Sequence, residues 1–392
     1  MTARVEALSS LEVATGLVFG LRRLDRAPVA HSPLVALEQA ILPALERPPC
    51  LVSFSGGRDS STVLAAATRV ARREGLEPPI PATNRFPAAP ASDEAEWQES
   101  VVAELGLSDW LRLEFRDELD CVGPVARKVL RRHGLLWPFN VHFHAPLLAA
   151  ASGGSLLTGI GGDELLGEAR SSHALAVLAG RRRPQPRDLL RVGWAIAPAP
   201  LRRLGLRRRL PLAFEWLTPA ARRDVIRAWR RDTASEPIRW SRQMRWRAGF
   251  RYLELGTRNL ALVAADEDVR LVHPLLDASF VATLAALERS DRYPDRSAAH
   301  RALAGGLLSE KLLTRRSKSS FDEAFWSRWS REFAAAWDGG GVDPDVVDIE
   351  ALRAEWASEA PDPRTFTLVQ AAWLASASRS DEVEQQVDFV VG

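Results

Sequence analysis

Cysteine and lysine are scarce in this chain, and both shortages narrow its chemistry. Two cysteines, Cys50 and Cys121, stand far apart in 392 residues. They exclude a disulfide framework, a CxxC redox pair and a cysteine-based zinc site. A reducing, cytoplasmic setting fits that usage. No apolar run approaches the ~20 residues needed to span a bilayer; residues 147–151 and 156–158 are typical, short and interrupted. The first seven residues lack the basic-then-apolar layout of a secretion signal. Neither a membrane nor secretion is therefore expected. Lysine occurs only at positions 128, 311 and 318 among 52 basic residues, so each retained lysine asks for a reason.

The remaining composition is that of a soluble globular protein. Hydrophobic residues make up 46% and charged residues 26%, with a net charge of +2, enough for a sizeable core in one large or two ordinary domains. Residues 33–45 carry apolar side chains at helical spacing. Residues 50–54 (CLVSF) form a short apolar run that stops at Ser55-Gly56-Gly57, as a buried strand stops at a turn. Residues 60–73 follow with Val63, Leu64, Ala67 and Val70 on one helical face. Strand, Gly-rich turn and helix open an α/β parallel-sheet domain. A helix is expected over 92–106, with Asp93 and Glu96 at capping-box spacing. Strands are expected over 110–115 and 155–158, with a helix at 147–152 between them. Beyond about residue 170 the pattern turns helical: 213–263, two helices within 274–308, and a last one near 365–378.

Two segments carry the chemistry. Ser55-Gly56-Gly57-Arg58-Asp59-Ser60-Ser61 lies between strand and helix, where backbone N–H groups and the helix dipole attract anions. Two glycines let the backbone close around a phosphate, and Ser55, Ser60 and Ser61 add hydroxyls. Asp59 repels bare phosphate but suits a Mg²⁺ ion bridging phosphates. The GK[ST] of a Walker loop is absent. The second segment, Thr158-Gly159-Ile160-Gly161-Gly162-Asp163-Glu164, again ends a strand in glycines and a carboxylate. Together Asp59 and Asp163 can clamp Mg²⁺. Each motif alone is also open to a simpler reading, a Gly-rich turn with a capping aspartate.

These two motifs resemble the synthetase domain of the asparagine synthase family, whose members include asparagine synthetase, β-lactam synthetase and the lasso-peptide cyclases. The family pattern is SGGxDSS followed, roughly a hundred residues on, by a GxGGDELFGG-like segment. Further on, residues 273–277 (HPLLD) look like the family's PFLD. Residues 313–321 (LTRRSKSSF) look like its RxKxxF. The resemblance implies an ATP-pyrophosphatase fold, adenine nucleotide alpha hydrolase-like, with a helical C-terminal part. The residue pattern reads as a helical lead-in over 1–48 and α/β alternation to about residue 170, so the synthetase domain is expected over 49–392. The resemblance implies ATP and Mg²⁺ as cofactors. The pyrophosphate end of ATP is expected at Ser53, Ser55, Gly56, Gly57, Asp59, Ser60, Ser61, Thr158, Gly159 and Gly161, with the metal on Asp59 and Asp163. It places Lys318 near the reacting acyl centre, with Arg316 as a second contact. Adenylation and amine attack both build negative charge on oxygen, and a compact ammonium stabilises both. A solvated loop cation is the plainer reading of Lys318. Asp277 reads as a helix cap at Pro274.

The departures matter as much. Thr2 stands where the family's glutaminase nucleophile, a cysteine, follows the initiator Met, and the segment before the first motif is too short for that domain. Ile160 occupies the position of an acidic residue in ammonia-using members and of a tyrosine in β-lactam synthetase; it cannot abstract a proton. The expected substrates are thus a carboxylate and an organic amine, which a single peptide precursor can supply. A lasso-type cyclisation is the leading special case, and a partner protein is allowed for.

Other features read more plainly. Residues 181–209 hold ten arginines against Asp188, an arginine-heavy connection that could also dock an acidic leader. Only Trp194 interrupts it, so nucleic-acid stacking is not indicated. His142 and His144 lack a ligand partner at metal spacing. Trp240, Trp246 and Trp326 fit a pocket wall or the core. A tRNA-modifying adenylating enzyme of the SGGxDS class is the alternative function, weakened by the downstream motifs; an inactive scaffold is a third, at odds with the intact Asp59, Asp163 and Lys318.

Overall fold

The computed structural model describes residues 7–167, 192–194, 196–206, 213–288, 290–293, 295–304, 306–315 and 321–391, with side chains described to residue 378. Five parallel strands form one sheet: β1 (Cys50–Ser53), β2 (Ile80–Arg85), β3 (Leu111–Glu114), β4 (Ser155–Leu157) and β5 (Arg270–Val272), in the order β3-β2-β1-β4-β5. Pairing sets Leu51 beside Ile80 and Leu156, and Leu156 beside Leu271. The chain moves outward from β1 in one direction through β2 and β3, then crosses back to β4. The point where the order reverses lies between β1 and β4, and ligands of open α/β sheets bind beyond the carboxyl ends of strands there.

Strand side chains alternate between two helical layers. Val52 and Leu157 join Ile41, Val63, Leu64, Phe280 and Leu303 in one buried cluster. Leu51 and Leu156 join Leu148, Leu260 and Val263 on the opposite face. Apolar burial on both faces is what a parallel sheet requires. The helix Arg58–Glu74 is buried along eleven residues, many of them alanine or serine, which lets it lie close beneath β1. Gly75, left-handed at φ 67°, ends it by donating its N–H to the Ala71 carbonyl. The lead-in helix Pro33–Leu45 packs against it and belongs to the same core.

The C-terminal part is helical, with its own core of Trp216, Trp326, Trp356 and Phe366. Asp120, fully buried, ties this part to the sheet: it accepts from the Ser327 N–H at 2.7 Å and the Ser330 hydroxyl at 2.5 Å. The last helix is Phe366–Val391. No helix among the described residues is long and apolar enough to cross a membrane.

Several sequence expectations shift. β2 and β5 were not anticipated; their segments, with prolines near by and only three residues in β5, carry little periodicity. No capping box forms at 93–96. Pro90–Ser92 is a 3-10 turn, Asp93 accepts from the Ala95 N–H at 2.9 Å, and the helix runs Ala95–Glu104 with Glu94 making no side-chain cap. Glu94 is drawn instead to Arg315. Asp277 does cap a helix, but one that starts at Ala278, receiving the Ser279 and Phe280 N–H groups; Pro274–Leu276 forms a separate 3-10 turn. Most of the arginine-rich connection at 181–209 lies outside the described residues.

Candidate active site

The first motif leaves β1 at Ser53, turns through Ser55–Gly57, and enters the Arg58–Glu74 helix. Gly56 takes φ 81°, a left-handed conformation that favours glycine. The serines knit the turn: the Ser60 hydroxyl donates to the Gly57 carbonyl at 3.1 Å, and the Ser55 hydroxyl accepts from the Gly57 N–H at 3.3 Å. Gly57 is the N-cap and no side chain caps the helix. Asp59 therefore is not a cap; it sits in the first turn with its carboxylate turned to the second motif. The capping reading fails for Asp163 as well, since Gly161 is the N-cap of Gly162–Leu165 and Asp163 lies inside that short helix.

Glycine brings the two motifs together. A Cβ on Gly159 would stand 2.8 Å from the Ser60 backbone nitrogen, and one on Gly162 would stand 2.2 Å from Asp59 Cγ. Thr158, at the end of β4, shares a 2.6 Å hydrogen bond with His273 Nδ1. The two carboxylates then meet across one guanidinium. Arg296 donates to Asp59 Oδ2 and to Asp163 Oδ1, each at 2.6 Å. Burial works against the Arg296 charge, but Asp59 and Asp163 outweigh it and its pKa is raised. His300, one helical turn on, shares a 2.8 Å hydrogen bond with Thr62, and its Nε2 stands 3.2 Å from Asp59 Oδ1. Burial holds this imidazole toward its neutral form.

A second buried pair holds the phosphate-type turn from behind. Arg315 and Glu94, almost wholly buried, share two 2.5 Å contacts. Arg315 also donates to the Gly56 carbonyl at 3.0 Å, and Gln98 donates to the Ser55 carbonyl at 3.2 Å. Arg316 and Lys318 lie outside the described residues. The residues flanking them are at the site: Arg315 on Gly56, and Phe321 edge-on to Phe86 at 6.1 Å, just past the end of β2.

Buried polar atoms without a hydrogen-bond partner gather at this edge of the sheet. Among the described residues they include Ser61 Oγ, Asn84 Oδ1, Arg85 Nε, His144 Nδ1 and His273 Nε2. Protein interiors seldom leave such groups unsatisfied. His142, by contrast, spends both ring nitrogens on the Phe139 and Leu119 carbonyls and is structural. Burial lowers His144 and His273 to about 4, so both are neutral at pH 7.

The donor set fits Mg²⁺ held on a nucleotide. Among the described residues no group of three or more His, Cys, Asp or Glu is arranged to cage an ion. Two carboxylates at a phosphate-type turn are what Mg²⁺ takes when phosphates and water complete its shell. In this structure Arg296 bridges that pair and offsets one of its two negative charges. Arg296→Met is expected to raise affinity for Mn²⁺, read by electron paramagnetic resonance, several-fold, on the scale of ~1 kcal/mol for a partly exposed ion pair. Unchanged or weaker Mn²⁺ binding would remove the two aspartates from the metal assignment.

Sequence reasoning missed Arg296, His300, Glu94 and Arg315. Arg296 and His300 had a faint signal, polar residues four apart on one helical face. Glu94 and Arg315 had none, because the pair closes over 221 positions.

An uncapped helix start, a glycine-closed second loop and two facing carboxylates at the switch point define a nucleotide-binding α/β protein. The asparagine synthase family model matches residues 36–375, sheet and C-terminal helices alike, and the chain belongs to that family. It is accordingly an ATP-dependent amide ligase. No curated protein matches it.

Proposed function

We propose that the chain joins a carboxylate to an organic amine through an acyl-adenylate. The carboxylate oxygen attacks the α-phosphorus of ATP, the bond to the bridging oxygen breaks, and pyrophosphate leaves. The amine nitrogen attacks the acyl carbon, the C–O bond to the phosphate breaks, AMP leaves, and the nitrogen gives up its proton to solvent. The observation that carries the reading is the convergence of Asp59 and Asp163 on one guanidinium at the switch point. Mg²⁺, when bound to that pair, would neutralise phosphate oxygens. The serine and glycine groups of residues 53–61, with Thr158, Gly159 and Gly161, would hold the pyrophosphate end of ATP. Lys318 would stabilise charge on the acyl and phosphate oxygens, with Arg316 beside it.

Ile160 supports an organic amine over ammonia. Its side chain packs against the β1–β4 core and offers no proton acceptor. We place the product among peptide or other natural-product amides, a lasso-type macrolactam being the special case. Lys318→Ala is expected to lower the ligation rate about 10²- to 10³-fold with ATP binding retained, and AMP is the expected nucleotide product. A full rate in that variant removes Lys318 from the mechanism; ADP as product overturns the adenylate route.

A further inference from the structure

Arg296 sits where the two motifs meet, with Nη1 donating to Asp163 Oδ1 and Nη2 to Asp59 Oδ2. A divalent cation on that pair needs the same oxygens and the space the guanidinium fills, and the two positive charges repel strongly at such range. Arg296 and the cation therefore exclude one another. The Asp163 end of the bridge is half exposed, which gives the guanidinium a way out. Asp59 keeps a second anchor when it goes. His300 Nε2 stands 3.2 Å from the other oxygen, Oδ1, and His300 is itself fixed by Thr62 at 2.8 Å.

The backbone that carries Arg296 is fixed beside the phosphate-type turn. Its helix, Arg296–Ala304, is tied to the helix Arg58–Glu74 at three places. Arg58 donates to the Ser297 hydroxyl at 3.3 Å, Thr62 meets His300, and Arg69 donates to the Leu303 carbonyl at 2.8 Å. Arg58 is the first helical residue after Gly57, so Ser297 and its neighbour Arg296 lie level with the turn. A guanidinium displaced from the carboxylates thus stays within side-chain reach of an anion held there. A partly buried cation without a counter-charge is costly, and the guanidinium fork matches two phosphate oxygens at once. Arg315, beneath the same turn, is committed to Glu94 and the Gly56 carbonyl.

We propose that Arg296 changes partners during nucleotide binding: it bridges Asp59 and Asp163 until a divalent cation takes them, and then holds the pyrophosphate end of ATP. This rests on the reading above that ATP and a divalent cation share this site. One side chain then opposes the cation arriving alone and favours it arriving with a triphosphate, because only the triphosphate offers the displaced guanidinium a new counter-charge. Arg296 is accordingly a substrate-binding residue as well as a bridge between the motifs.

The sign of one change tests this. Calorimetry on the full chain compares Arg296→Met with the wild type for α,β-methylene-ATP in the presence of Mn²⁺ and for AMP. A residue that only competed with the metal would, once removed, let the Mn²⁺–analogue complex bind tighter. On this proposal the complex binds about tenfold more weakly in Arg296→Met, the scale of a lost charge-assisted contact, even though Mn²⁺ alone binds tighter. AMP, which lacks the pyrophosphate end, should bind unchanged. Analogue binding that tightens or stays the same, or AMP binding that weakens as much as the analogue, overturns the proposal. Thermal unfolding checks that the variant folds. Should it not, Arg296→Lys, which keeps the charge without the fork, must show the loss for the analogue and none for AMP. Wild-type protein that binds no triphosphate analogue would sink the nucleotide reading and this proposal with it, whereas analogue binding that ignores Arg296 sinks this proposal alone.

Discussion

Asp59→Asn is expected to abolish carboxylate-dependent exchange of pyrophosphate into ATP, by about 10³-fold or more, in a chain that stays folded. The asparagine keeps the shape of the side chain and can still meet Arg296, so the junction between the two motifs survives. It loses the charge that would draw a divalent ion against the phosphates. Gly162 makes this site intolerant of bulk, since any added atom there meets Asp59 at 2.2 Å. Asp163→Asn should act in the same direction with less structural cost, because its side chain is half exposed where that of Asp59 is 17% exposed. Circular dichroism and Mn²⁺ titration separate a lost metal from a lost fold. Full exchange activity in either variant would remove that carboxylate from the site.

Glu94→Ala is expected to cost stability rather than chemistry first. The pair it forms with Arg315 is buried, with 5% and 4% of the two side chains exposed. Removing the Glu94 carboxylate takes away the charge with which the buried Arg315 guanidinium is paired, at a cost of roughly 3–5 kcal/mol. A lowered urea midpoint with unchanged slope is the expected signature. Because Arg315 also holds the Gly56 carbonyl, ATP affinity should fall with it. Glu94→Gln, which keeps a hydrogen-bond acceptor, should lose less of both. An unaltered midpoint would mean that the pair contributes little to the core.

Much of this site is legible in the residues because its chemistry is local. A strand, two or three glycines and an aspartate lie within ten positions in each motif, so both glycine turns and both carboxylates can be read directly. The helices expected over 33–45 and 60–73, found at Pro33–Leu45 and Arg58–Glu74, follow from apolar spacing for the same reason. What escapes the sequence is what the fold assembles at long range. Arg296 meets Asp59 across 237 positions and Asp163 across 133. Glu94 finds Arg315 across 221 positions, and the capping box suggested by Asp93 and Glu96 does not form. β5 is three residues long and is a strand because β4 lies beside it.

The central claim is that ATP activates a carboxylate by adenylation, and exchange of labelled pyrophosphate into ATP measures that step without the amine. Label should enter ATP only when a suitable carboxylate and Mg²⁺ are both present, and should cease in Asp59→Asn. Label entering ATP with no carboxylate present, or amide formation yielding ADP and phosphate with no exchange at all, would contradict the account.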